Sequence, residues 1–242
     1  MDRLADYLSS YCTSLEFENL PAEVVHQAKR HLIDTLGCAM GGFVSEPSKI
    51  ARRIASVAPC ERGATILGSG QKTTPELAAF ANGIMIRYLD FNDGYSGHPS
   101  DNFASILACA DALHADGKKV ITAATLAYEV FCRFEDTVSL REKGFDHVVN
   151  GVLSSSIGAW KMWGLSKDQI VQAINLAVTP NIALVQTRYG NVSMWKNCAA
   201  ANASRNAVFA TRLAAEGMTG PAPIFEGRGG FFNAVSGHFE IE

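Results

Sequence analysis

The amino-acid sequence predicts an all-α, multi-helix bundle. Apolar residues recur at helical spacing through most of the chain. Ser/Thr caps, first-turn prolines and closing glycines punctuate those stretches again and again. A single short run, "ATILG" at 64–68, reads as a strand. A chain of 242 residues has ample sequence for a real core. Its 48% hydrophobic and 19% charged content marks it as globular rather than disordered.

In "LPAEVVHQAKRHLIDTLGCAMGG", Pro21 opens a helix with Val24, Val25, Ala28, Leu32 and Leu36 on one stripe. Gly37, Gly41 and Gly42 mark its end or a close helix contact. A further helix is expected in "PSKIARRIASVA". "TTPELAAFANGIMIRYLD" begins with Thr74 as N-cap and Pro75 at the first helical position, and its stripe runs Leu77, Phe80/Ala81, Ile84, Tyr88. "SDNFASILACADALHADG" follows, with Ser100 as N-cap and Gly117 closing it, and "VITAATLAYEVFCRF" continues the pattern. "HVVNGVLSSSIGAWKMWG" is rich in small residues, which suits a tightly packed central helix. "SKDQIVQAINLAV" carries a capping box, Ser166 with Gln169. "NCAAANASRNAVFATRLAAEG" is a long alanine-rich helix ending at Gly217, after which glycine and proline dominate "GMTGPAPIFEGRGGFF". The sum is about eight or nine helices in one unit, with no repeat or linker.

The composition excludes several function classes. A net charge of −3, from 21 basic and 24 acidic residues, is not the footprint of a nucleic-acid binder. No apolar run reaches membrane-span length, and "MDRLADYLSS" lacks the basic-then-apolar order of a signal peptide. A cytoplasmic or organelle-matrix enzyme is expected. The cysteines at 12, 38, 60, 109, 132 and 198 never form C-x-x-C and never cluster with histidine, which argues against zinc, an iron–sulfur centre or a disulfide framework. Cys109 and Cys132 read as small core residues. "FEGRGG" lacks the P-loop pattern and setting, so no nucleotide is expected.

One stretch breaks the apolar pattern: "RYLDFNDGYSGHPSDN", residues 87–102. Arg87 and Asp90 are three apart near a helix end and can pair. Asp93, Gly94 and Gly97 form the turn that follows, and His98 and Pro99 precede Ser100. A helix N-terminus there offers free N–H groups to a carboxylate. It disfavours a cationic histidine while a nearby aspartate favours one, a balance that tunes an acid/base near neutrality. The plain alternative is a turn that only caps its helices. In "QTRYGNVSMWKNCAAANASRNA", Arg188 and Lys196 flank a Gly-Asn turn, and Lys196 opposes the dipole of the helix it enters. A solvated lysine lying over Trp195 is the competing reading. In "GFDHVVNG", Asp146 and His147 precede a helix and can line the same cavity. His26, His31 and His114 read as surface or satisfied core, and His238 receives no role.

"LDFNDGYSGHPSDN", "GLSKDQIVQAINLA", "RYGNVSMWKNCAAANASRNA" and "PAPIFEGRGGFF" together resemble the MmgE/PrpD family, in order through almost the whole chain. The resemblance implies one all-helical domain over 1–242, with a smaller α/β lid, absent from this chain, after about residue 242. It implies a metal-free, cofactor-free lyase site for small di- or tricarboxylates, in a homodimer. Asp90 and Asp93 match the acidic pair, His98 the histidine before proline, and Lys196 the lysine before the long helix. His147 matches a further active-site histidine, although "FDHVV" departs from the commoner F-H-P-T form; Gly94 stands where several relatives carry threonine, and the turn before His98 is shorter than in some.

The implied reaction is dehydration of a 2-methylcitrate-like substrate. Decarboxylation of a cis-aconitate-type acid or epimerisation in the same pocket are the alternatives, and a truncated, non-catalytic helical domain for dimerisation or binding is the alternative from another class. Dehydration needs a base for the proton α to a carboxylate and an acid for the departing hydroxyl. His98 with Asp93 is expected to shuttle the proton, Lys196, Arg188 and the N-terminus after Ser100 to supply positive field, and Arg188, Ser100 and Arg87 to bind the substrate.

Overall fold

Nine α-helices and one short hairpin build the described part of the chain, residues 2–241 of a computed structural model. The fold is all-α, as the sequence predicts. Met1 and Glu242, the outer limits of the expected domain, lie outside the described residues. None of the helices described is long and apolar enough to cross a membrane.

Helix α1, Arg3–Ser14, has no counterpart in the sequence reading; Asp2 caps it, and Leu4, Ala5, Leu8 and Cys12 are buried. It packs on α8. Helix α2, Ala22–Gly42, runs unbroken through Gly37 and Gly41. Gly42 is both the last residue of the helix and a close contact, because a Cβ there would collide with the Met85 carbonyl oxygen of α4. The expected stripe of α2 is only half-buried, and Thr35, Cys38, Ala39 and Gly42 carry its burial instead.

After α3, Glu46–Ser56, the strands β1, Pro59–Thr65, and β2, Lys72–Thr73, pair antiparallel, so the strand starts earlier than "ATILG". The Asp111 carboxylate accepts the Thr65 N–H and the Asn82 amide oxygen accepts the Leu67 N–H, fixing the hairpin to the helices behind it.

Helix α4, Pro75–Tyr88, begins at Thr74 and Pro75 as expected. Its predicted stripe is half right. Ala81 and Ile84 are buried, but so are Ala78, Ala79, Asn82, Met85 and Ile86, whereas Leu77 and Phe80 are half-buried and Tyr88 is exposed. A helix enclosed by α2, α5 and α9 has no solvent face to make it amphipathic.

Helix α5, Phe103–Leu113, starts after a 3-10 turn at Pro99–Asn102, so Ser100 is not its cap. It stops at His114, in the left-handed region with φ 50°. Gly117 therefore opens α6, Gly117–Thr137, instead of closing α5, because the Asp116 side chain caps the new helix at Lys119 N–H.

Helix α7, Val148–Trp163, is buried almost throughout, and α8, Lys167–Val178, begins with the expected Ser166–Gln169 capping box. Helix α9, Trp195–Ala215, ends just before Gly217. Its alanines permit close packing: Ala199, Ala200, Ala203, Ala207 and Ala210 face Val148, Val152 and Ala177, and Ala201 packs with Ala81 and Ile84. All six cysteines are free; Cys109 is buried in the core and Cys132 half-buried. The C-terminus of α4, the 3-10 turn and the N-termini of α7 and α9 meet at one end of this central packing.

Candidate active site

Asp90 stands at the centre of that meeting point. It follows the last turn of α4 with φ 60°, a left-handed conformation that few residues other than glycine, asparagine and aspartate adopt readily. Such left-handed, non-glycine positions concentrate at functional sites. Its carboxylate accepts a hydrogen bond from Arg87 Nη1 and one of 3.0 Å from Lys196 Nζ, and His98 Nε2 lies 3.6 Å away. One acid thus gathers three basic groups from α4, the turn and α9. Asp90 and Lys196 are 41% and 34% exposed at their side chains, so a solute can reach both. Arg87 is buried and also faces Asp101 at 3.5 Å. The contact with Asp90 compensates a cation at the N-terminus of α9, so Lys196 is not the loosely solvated lysine of the competing reading.

His98 pairs with Asp90, not with Asp93 as the sequence reading expects. Burial favours its neutral form and lowers its pKa, the Arg87 charge adds to this, and Asp101 opposes it. Asp93 is turned the other way: its Oδ1 accepts the Ser100 N–H at 3.0 Å and its Oδ2 lies 3.4 Å from His31 Nδ1 of α2. The carboxylate seat expected at Ser100 is therefore taken by Asp93 itself. The Ser100 hydroxyl is buried and accepts from Asn92 Nδ2 at 3.0 Å.

Asp146 and His147 do join this cluster. His147 precedes α7, and its Nδ1 lies 2.9 Å from Asp146 Oδ1. Asp146 is buried and accepts from Arg188 Nε at 2.7 Å and Nη2 at 3.2 Å. Burial alone would raise the Asp146 pKa, but hydrogen bonds and charge from His147 and Arg188 outweigh it and hold the carboxyl well below the usual range. Arg188 Nη1 donates to the Lys196 carbonyl at 3.1 Å. Its guanidinium ties the start of α7 to the start of α9 and is only 8% exposed. His147 Nε2 is buried without a hydrogen-bond partner among the described residues. The His98 and His147 rings are 6.2 Å apart, and Gly97 makes room for them: a Cβ there would lie 2.6 Å from His147 Cδ2.

Sequence reasoning missed a layer beneath these groups. Asp101, largely buried, accepts from Asn92 Nδ2 at 3.0 Å, and burial raises its pKa against the pull of Arg87. Asn102 Oδ1 accepts from Ser154 at 2.9 Å and Ser155 at 2.6 Å of α7. Glu135 of α6 accepts from Asn150 at 2.7 Å, and its pKa is raised by burial. Three consecutive serines inside an apolar helix were the available signal, since buried hydroxyls need partners. Phe91 and Tyr95 on the segment that carries His98, and Tyr189, Val192, Met194 and Trp195 on the stretch leading into α9, are exposed apolar side chains.

Residues 6–242 match the family described as the MmgE/PrpD N-terminal domain. The chain belongs to the MmgE/PrpD family. It is 33% identical over 227 residues to the 2-methylcitrate dehydratase of Cupriavidus necator, covering 86% of this chain and 46% of that protein. Over 250 residues it is 29% identical to the 2-methylcitrate dehydratase of Escherichia coli K12, with coverage of 95% and 50%. A 2-methylcitrate dehydratase-like protein of Aspergillus oryzae is 32% identical over 257 residues, with coverage of 97% and 51%. The chain spans about half the length of the curated relatives it matches. Among MmgE/PrpD proteins, this chain thus corresponds to the helical N-terminal domain.

Proposed function

We propose that this chain forms the floor of a hydro-lyase site for a citrate-like polycarboxylate, with dehydration of 2-methylcitrate or a close analogue as its reaction. The names of the relatives support the class. The convergence of Arg87, His98 and Lys196 on the left-handed Asp90 is the observation that carries the site.

In this reading neutral His98 takes the proton from the carbon α to a carboxylate, and its lowered pKa keeps it competent near neutral pH. The carbon–oxygen bond then breaks, and the hydroxyl leaves as water with a proton from Lys196 or His147. Asp146 acts on His147 as an orienting carboxylate, accepting from Nδ1 and leaving the buried Nε2 without a protein partner among the described residues. Asp90 sets the position of Lys196 and His98, Asp93 that of the turn, and Ser100 anchors Asp93. Arg87 supplies buried positive field. Arg188, assigned to the substrate by sequence, serves here by holding the backbone of Lys196.

The described residues hold no group of three or more His, Cys, Asp or Glu placed to bind a metal ion, and the mechanism needs only acid–base side chains. The reading includes a lid domain following about residue 242 that covers these exposed apolar residues, a homodimer, and a cytoplasmic or matrix location. A domain that only dimerises would not need Lys196 and His98 gathered on an accessible Asp90. The test is incubation of the enzyme containing this chain with 2-methylcitrate and with cis-aconitate, followed by NMR. An olefinic tricarboxylate from 2-methylcitrate is the expected product; decarboxylation of cis-aconitate, or no conversion of either, would overturn the assignment.

A further inference from the structure

We infer that His31 of α2 is a positioning residue for the turn that carries His98, acting through Asp93. The segment between α4 and the 3-10 turn, residues 89–98, has no helix of its own and must hold His98 beside Asp90. Asp93 is where that segment is gripped. One of its oxygens accepts the Ser100 N–H at 3.0 Å, a contact internal to the turn. The other lies 3.4 Å from His31 Nδ1, a contact from a different element.

The histidine is itself placed. Its ring lies 5.3 Å from that of Tyr128 on α6, which in turn packs edge-on against Phe103 at 5.9 Å. The Tyr128 hydroxyl is buried within reach of Asp93 and Ser100, and burial, the Asp93 charge and its interaction with the Asp93 carboxylate push its pKa up. His31 is the contact to Asp93 that α2 provides, and with Tyr128 it lines a groove of about 340 Å³ whose walls also include Val24, Ala28, Thr125 and Cys132.

The His31 side chain is 39% exposed, and polar contacts at such exposure add little to global stability. Its removal is thus expected to leave the fold intact and to act on the turn. Misplacing a catalytic group by about 1 Å is enough to slow a reaction strongly.

The catalytic arm of this inference rests on the dehydratase reading; the structural arm does not. The test compares His31→Leu, which removes the polar contact, with His31→Gln, which keeps an N–H donor. In His31→Leu, amide hydrogen exchange at 92–100 is expected to accelerate about 10-fold while the cooperative melt barely moves. On 2-methylcitrate, kcat is expected to fall about 10-fold with KM little changed, and His31→Gln to restore both readouts. Unchanged exchange in His31→Leu, or an equal loss in His31→Gln, would overturn the inference. A wild-type enzyme that converts no polycarboxylate would instead overturn the dehydratase reading, and exchange alone would then decide the role of His31.

Discussion

Replacing Asp146 with asparagine removes the charge that holds three elements together. The carboxylate is fully buried and accepts from Arg188 Nε at 2.7 Å, Arg188 Nη2 at 3.2 Å and the Val148 N–H at 3.3 Å, with His147 Nδ1 2.9 Å away. Asparagine fills the same space, but one of its two oxygens becomes a donor facing donors. The Arg188 guanidinium, 8% exposed, keeps only the Lys196 carbonyl as an acceptor among the described residues. Breaking a buried pair by removing one partner costs about 3–5 kcal/mol, because the other charge stays buried without compensation.

The folded pKa of Asp146 is depressed, so its contribution is fully present above the unfolded value and is lost as pH falls through the folded one. The difference between wild type and Asp146→Asn is therefore expected to be constant near neutral pH and to shrink only below about pH 4. Urea unfolding at pH 7 and at pH 3 measures it. A loss under about 1 kcal/mol at pH 7, or one that does not shrink in acid, would refute the reasoning.

Three further outcomes are expected. Gly97→Ala places a Cβ 2.6 Å from His147 Cδ2 and 2.8 Å from Phe131 Cζ, so it is expected to cost about 1–3 kcal/mol in urea unfolding and to lower kcat; an unchanged protein would contradict the packing. The His98 pKa is lowered by burial and by Arg87, so the acid limb of kcat/KM is expected below the ordinary histidine value of about 6.5, with stability also falling as pH drops below that value; a limb above 7 would contradict it. EDTA is expected to leave turnover unchanged, and loss restored by a divalent ion would overturn the acid–base account.

Local signals were legible in the sequence and long-range ones were not. The Thr74–Pro75 start, the Ser166–Gln169 box and the stop at Gly217 each depend on neighbours within one turn, and each stands as read. Gly42, read as an end or a close helix contact, is both, but the neighbour it meets, the Met85 carbonyl, lies on another helix and was not legible. Gly117 looked like a stop because glycine suits both ends of a helix, and Asp116 decided which.

The site divides in the same way. Residue types and positions in 87–102 pointed to a cluster, but partner choice turned on tertiary placement. His98 meets Asp90 rather than Asp93 because the backbone of Asp90 is left-handed and α2 brings His31 to Asp93. Arg188 looked available to a substrate because Asp146, its partner, is 42 residues away.

The central claim is that Asp90, His98 and Lys196 form the working floor of a polycarboxylate lyase. Its most direct measurement is the rate of product formation from saturating 2-methylcitrate in wild type, His98→Ala and Lys196→Ala, followed by NMR with circular dichroism as a check on folding. Both variants are expected to keep their helicity and to lose more than about 100-fold in kcat. Near wild-type turnover in either folded variant would contradict the account.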